Sequence, residues 1–268
     1  MRAILYIVSF FTGMCVFPSC EKVIDIELHA TDPMVVVEGM ISSSDSTALV
    51  NLSWSQDFYS TQGFDVIDKA QVGIINHLEE MYELTQITPG VYIKKELPIT
   101  FNSEYRLWVI FGDKQYSASS QMPYKTPIDS VFYSYSTETL FADEGYRAWV
   151  IFRDPDTTGN CYRLHLYVDN ERITDGIYYL WNDDESNGGL VTYIYYMNSL
   201  KNNVQFYVEL LAIDRVTYEY LKSIQSIATI SRGAQPAAPT NPENNISDEA
   251  LGYFTATAVS RSKTLLIK

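Results

Sequence analysis

Met34–Ile41 (MVVVEGMI), the polar stretch 42–47 (SSSDST) and Ala48–Trp54 (ALVNLSW) decide the fold. Ala48, Val50, Leu52 and Trp54 recur at period two, so one face of an extended chain is apolar and the other polar. The preceding run is rich in β-branched valine, which suits a pleated, half-buried surface. The six residues between them are turn formers. Together they predict a pair of strands with one face in a core.

Outward from this pair the pattern repeats. Segments 70–75, 82–85, 90–93, 105–111 (YRLWVIF) and 116–119 read as strands, with Gly112-Asp113 as the turn between the last two. About seven short strands in roughly 90 residues predict an Ig-like or transthyretin-like β-sandwich over 33–121. Residues 122–128 contain two prolines and no periodic pattern, and are expected to form a linker. A second β-rich domain is expected over 129–268. Its clearest strands are 130–136, 146–153, 161–168 and 203–213, with final strands near 251–260 and 264–267. One amphipathic helix interrupts them, capped by Asp214 and carrying Leu221, Ile224 and Ala228 on one stripe. The fold class expected is mainly β.

The 268-residue chain carries a net charge of −14 and no run of Lys or Arg that could neutralise phosphates. Nucleic acid is therefore excluded as a partner, and so is electrostatic adhesion to an anionic bilayer. With 46% hydrophobic and 19% charged residues, the composition is that of a folded protein. Twenty-one tyrosines suit strands and wet interfaces.

The first residues read differently. Arg2, the apolar core 3–16 and small Ser19 before Cys20 have the order of a bacterial secretory signal. The apolar stretch is shorter than the roughly 20 residues that cross a bilayer. A Cys placed after a small residue resembles the lipobox of bacterial lipoproteins, in which that thiol is acylated. Residues 1–19 are thus expected to be a lipoprotein signal peptide, with Cys20 lipidated and 20–32 a tether. Cys15 would leave with the signal, so Cys161 would remain alone and no internal disulfide could form.

Five stretches carry a resemblance to a known family: CEKVIDIEL (20–28), VVVEGMIS (35–42), PIDSV (127–131), FRDPDTTGNCYRLHLYV (152–168) and NPENNISDEALGYFTATAVS (241–260). In order and spacing they resemble the domain-of-unknown-function family 4249, lipoproteins of the Bacteroidota. The resemblance implies an outer-membrane lipoprotein with a β-rich N-terminal module, acting as an accessory partner of a TonB-dependent receptor. It carries over no catalytic residues.

Chemistry-bearing constellations are few. Cys161 and His165 would share a strand face, but about 13 Å apart at roughly 3.3 Å per residue, too far for proton transfer. The other histidines, His29 and His77, lie in the first part of the chain. No phosphate loop, dinucleotide fingerprint or nucleophile elbow is present, so the chain does not read as an enzyme. Asp183, Asp184 and Glu185 form an oxygen-rich cluster that calcium could use, or that simply makes a turn. Tyr178, Tyr179 and Trp181 precede the cluster, and Tyr193, Tyr195 and Tyr196 follow it. If the two runs pair as a hairpin, they form either a recognition surface or a face packed on another domain. Ser46 and Thr157, in Asp45-Ser46-Thr47 and Asp156-Thr157-Thr158, resemble a short O-glycosylation motif of the same phylum, as does Ser130 in Asp129-Ser130-Val131.

The function expected is non-catalytic binding by a lipid-anchored protein of the outer membrane and cell surface. The expected setting is nutrient capture beside a TonB-dependent receptor, of a small ligand, glycan or peptide. A structural or adhesive surface protein is the alternative, and an unrecognised hydrolase the second.

Overall fold

The computed structural model describes residues 32–56, 63–137, 144–174, 178–185, 187–197, 203–230, 242, 244–247 and 250–267. The expected signal peptide, Cys20 and most of the tether lie outside them. Eight strands make the first part: β1 (Val35–Ser42), β2 (Thr47–Trp54), β3 (Gln71–Ile75), β4 (Met81–Glu83), β5 (Thr85–Thr88), β6 (Val91–Lys94), β7 (Ser103–Phe111) and β8 (Lys114–Met122). The alternation that predicted β1 and β2 appears in their burial. Val35, Val37 and Ile41 are buried on one strand, and Ala48, Val50 and Leu52 on its antiparallel partner. They face a second sheet, in the order β4-β3-β7-β8, which contributes Val72, Ile74, Tyr105, Leu107 and Val109. This is the expected sandwich.

The second part contains β9 (Ile128–Ser136), β10 (Gly145–Arg153), β11 (Cys161–Val168), β12 (Glu171–Arg172), β13 (Tyr179–Asn182), β14 (Leu190–Met197), β15 (Gln205–Ile213), helix α1 (Arg215–Ile230), β16 (Leu251–Arg261) and β17 (Leu265–Leu266). A three-stranded sheet, β14-β10-β9, packs Tyr146, Ala148, Val150 and Phe152 inward. The opposing face is built from Tyr162, Leu164 and Leu166 of β11 and Phe206, Val208, Leu210 and Ala212 of β15. The helix covers the other face of the β11–β15–β16 sheet, burying Leu221 with Cys161, Leu211, Ile213 and Val259. That double burial explains why 205–213 reads as almost continuously apolar. Asp214 caps the helix as expected, accepting the Thr217 N–H at 2.8 Å.

The chain ends differ from expectation. Residues 251–257 were assigned to the second domain, yet they pair in parallel with β1, from Val36↔Leu251 to Ser42↔Thr257. The remainder of β16 pairs with β15, from Ala212↔Ala258 to Glu209↔Arg261. One strand therefore runs through both parts, and the large sheet has the order β12-β11-β15-β16-β1-β2-β6-β5. Residues 33–268 form one compact unit. Pairing in parallel between distant segments leaves no turn signal, so periodicity locates the strand but not its partner. Gly252, with φ +107°, makes the close approach feasible, because a Cβ there would collide with the Val37 carbonyl.

The expected 122–128 linker does connect β8 to β9, but it is fixed in place. Thr126 is buried, its hydroxyl lies 3.2 Å from the Tyr162 hydroxyl, and its carbonyl accepts the Ser260 hydroxyl. Ser120 adds a second tie: its hydroxyl donates to Asp214 and accepts the Ala256 N–H. In the 244–247 stretch, Asn245 donates to the Ser119 and Phe254 carbonyls and accepts the Phe254 N–H, joining β8 to β16 through one amide.

Candidate functional site

The aromatic runs do not pair with each other as a hairpin. β13 pairs with β11 and β14 with β10, so the two runs lie in opposing sheets. Their rings meet inside the sandwich. Tyr179 stands edge-on to Tyr193 and Tyr195, with centroids 5.7 and 5.0 Å away. Trp181 packs on Tyr162 at 5.5 Å and on Phe152 at 5.9 Å. Tyr178 lies under the Arg163 guanidinium, 4.7 Å from its ring, and its backbone N–H donates to Gln225. Of the two readings open in the sequence, packing describes Tyr179, Trp181, Tyr193 and Tyr195.

The acidic cluster is also dispersed. Asp183 is buried and accepts the Asn160 N–H at 3.0 Å. Asp184 turns outward to a two-pronged pair with Arg215, at 2.6 and 2.7 Å, which holds its carboxyl below the ordinary value. Glu185 is exposed. Among the described residues, no group of three His, Cys, Asp or Glu is placed to hold a metal ion. Each of the two aspartates instead fixes the wall of a neighbouring cleft.

That cleft, about 650 Å³, lies where the two sandwiches meet. Gln121, Pro123, Tyr124 and Thr126 form one wall, Pro155 with 157–162 the second, and the start of α1 with Asp214 and Arg215 the third. Its geometry rests on Asp154, which is 1% exposed. One carboxylate oxygen accepts the Tyr162 hydroxyl at 2.8 Å, the other the Gly188 N–H at 3.1 Å. The floor is thus locked by a Thr126–Tyr162–Asp154 chain, and burial first, then the Asp154 bond, pushes the Tyr162 phenol well above its ordinary range. Cys161 lines the cleft with its thiol buried, and burial pushes it up to about 12 against the opposing pull of Arg215. A thiol held so far above neutral pH carries little of the thiolate form that attacks.

The charged groups on the walls already have partners. Asp214 holds the helix cap and Ser120, while Arg215 is shared by Asp184 and Glu219. What faces the space is amide, hydroxyl and one large ring, Tyr124, 65% exposed. Such a mixture of apolar wall and a few convergent polar groups is the ordinary make-up of a small-molecule site. In the sequence Tyr124 falls in the expected linker, and Asp154-Pro155-Asp156 reads as a turn. The usable signal was two irregular stretches without periodicity, the kind of segment that carries function on a rigid scaffold.

Of the expected glycosylation positions, Thr157 is exposed on the cleft wall with its hydroxyl 3.3 Å from Asn160 Oδ1. Ser46 is half-buried in the β1–β2 turn at φ +55°. Ser130 is exposed on β9.

No curated protein matches the chain. Among solved structures, a two-domain fibronectin type-III segment of chicken tenascin is similar at 15% identity and a TM-score of 0.23, covering 68% of this chain and 91% of that one. The FN1–FN3 domains of chicken CNTN1 are similar at 13% identity and a TM-score of 0.20, covering 85% and 66%. A family model matches residues 21–263, nearly the whole described body. The chain belongs to the family described as domain of unknown function DUF4249.

Proposed function

We propose that this chain is the lipid-anchored, non-catalytic binding component of an outer-membrane uptake system. It stands at the cell surface beside a TonB-dependent receptor and holds its ligand in the cleft between the two sandwiches. The observation that carries this is positional: the family match begins at Glu21, directly behind the Ser19-Cys20 lipobox-like junction. Cleavage there leaves the family body intact and puts the acylated cysteine at its first residue. A single acyl group gives only marginal membrane binding, whereas two or more hold a protein stably, so diacylation at Cys20 suffices as an anchor. The cleft supports the binding role, since its volume lies in the range of small-molecule sites and its charged wall residues, Asp214 and Arg215, are already partnered within the fold.

The test is fractionation and capture from the native membrane. Wild-type protein is expected in the outer-membrane fraction with an acylated N-terminal cysteine by mass spectrometry, co-purifying with a β-barrel receptor. Cys20→Ala is expected to abolish acylation and to release the body from the membrane. A mature wild-type protein that is soluble and begins elsewhere overturns the anchor. Protection from protease added to intact cells overturns surface display.

A further inference from the structure

One edge of β11 is covered by two short strands that do not meet. β13 pairs with Cys161–Leu164 and β12 with Tyr167–Val168. Ile173 donates its N–H to the Leu166 carbonyl, and beside this edge lies a recess of about 180 Å³, lined by Arg163, His165, Arg172, Thr174 and Tyr178 with apolar neighbours. His165 is 8% exposed, and its Nε2 has no hydrogen-bond partner among the described residues. Such an orphaned polar atom costs roughly 1–3 kcal/mol, so a native one calls for an explanation.

The electrostatics of the recess are one-sided. Burial, then Arg163 and Arg172, push the His165 imidazole down to about 3, so it is neutral at ordinary pH. Burial, with Arg172 adding to it, lowers Arg163 as well. The carboxylate in register across the sheet, Glu209, turns one oxygen to the Tyr167 hydroxyl at 2.9 Å. Glu171 neighbours Arg172 on β12 and so projects to the opposite face. Arg163 rests on the Tyr178 ring and hydrogen-bonds Tyr253, both uncharged partners, and none of the ion pairs among the described residues includes Arg163 or Arg172. In a chain of net charge −14, two guanidinium groups converge on a neutral imidazole with a spare nitrogen.

We propose that this recess binds a small oxyanion, a carboxylate or phosphate group, through Arg163 and Arg172 with His165 Nε2 as the third contact. Arg is the side chain suited to planar, two-pronged capture of such groups. The neutral imidazole would donate from Nε2, which relieves the orphaned atom. The volume admits the charged head and a few further atoms. The site is separate from the cleft and stands whether or not the cleft binds.

The experiment is an NMR titration of the imidazole signals of the mature chain with succinate and, separately, inorganic phosphate, with His165→Gln identifying the resonance. Saturable movement of the His165 signals by one of the two anions is expected, and which one moves them distinguishes carboxylate from phosphate. Arg172 is exposed on a two-residue strand, so Arg172→Gln should fold as wild type while weakening the anion about tenfold, the scale of one charge-assisted contact. No movement with either anion overturns the proposal. So does movement seen only in Asp175→Asn, because Asp175 follows Thr174 in sequence and its own carboxylate would then be the occupant.

Discussion

Tyr179, Trp181, Tyr193 and Tyr195 crowd a short piece of sequence and face the interior of the second sandwich, whereas Tyr124 stands alone between two prolines and faces water. Density of aromatic residues marks the first group in the sequence, yet the second is the one that lines the cleft. The reason is geometric. A strand must give every second side chain to the core, so an aromatic run with period two fills an interior by default. A ring on an irregular segment has no such obligation. When it remains exposed beside a cleft, the exposure is itself informative.

The sharpest way to break the contrast is Trp181→Ala. The indole contacts Tyr162 and Phe152 across the sandwich, so its removal leaves a cavity that rigid strands cannot close. The expected loss of stability is about 3–5 kcal/mol, read by urea denaturation of the mature chain. A variant of unchanged stability that has lost ligand capture would return the site to the aromatic runs.

How much of this was legible varies by element. The alternation in 34–54 fixed two strands and their shared face to within a residue, because burial on one side is a local property. The helix and its Asp214 cap were equally local. Partner choice was not. Tyr179–Asn182 and Leu190–Met197 have the spacing of a hairpin, but each finds a longer neighbour in a different sheet. Likewise, nothing in Leu251–Thr257 announces a parallel partner at the opposite end of the chain. The cleft inherits this limit, since Gln121, Tyr124, Asn160 and Arg215 meet only once the strands have paired.

Tyr162 belongs to both regions and separates their contributions. Its ring stacks among the interior aromatics, while its hydroxyl closes the Thr126–Asp154 chain under the cleft. Tyr162→Phe keeps the first and deletes the second, at an expected cost of about 1–3 kcal/mol for the partners left short. The same hydroxyl has a pH signature. Its folded-state value is raised above the ordinary one near 10, so between 10 and that higher value the folded chain holds a proton that the unfolded chain has released. Stability from this group is complete below about pH 10 and falls as pH rises further. Tyr167, pushed up to about 12 by burial and then by Glu209, adds to the alkaline loss. Denaturation curves collected from pH 8 to 12 should show a shallower alkaline decline in Tyr162→Phe. An unchanged slope would mean that the phenol is not buried in solution as it is here.

The smallest expected effect on stability belongs to Tyr124→Ala, and it is the most informative about function. The ring is 65% exposed on the segment between β8 and β9, so truncation removes little buried surface. A change within about 0.5 kcal/mol is expected, as for other surface sites. Binding should respond differently, because an aromatic at the mouth of a cleft gains its contact area only when a ligand arrives. With immobilised mature protein exposed to spent growth medium and the retained compounds measured by mass spectrometry, retention is expected to fall about tenfold, equal to roughly 1.4 kcal/mol. Ile87→Ala is the control, since Ile87 is 57% exposed on β5 in the other sandwich, and its retention should match wild type. Equal losses in both variants would indicate non-specific adhesion to exposed apolar surface. No loss in either would leave Tyr124 a solvent-facing ring and remove the cleft from the binding role.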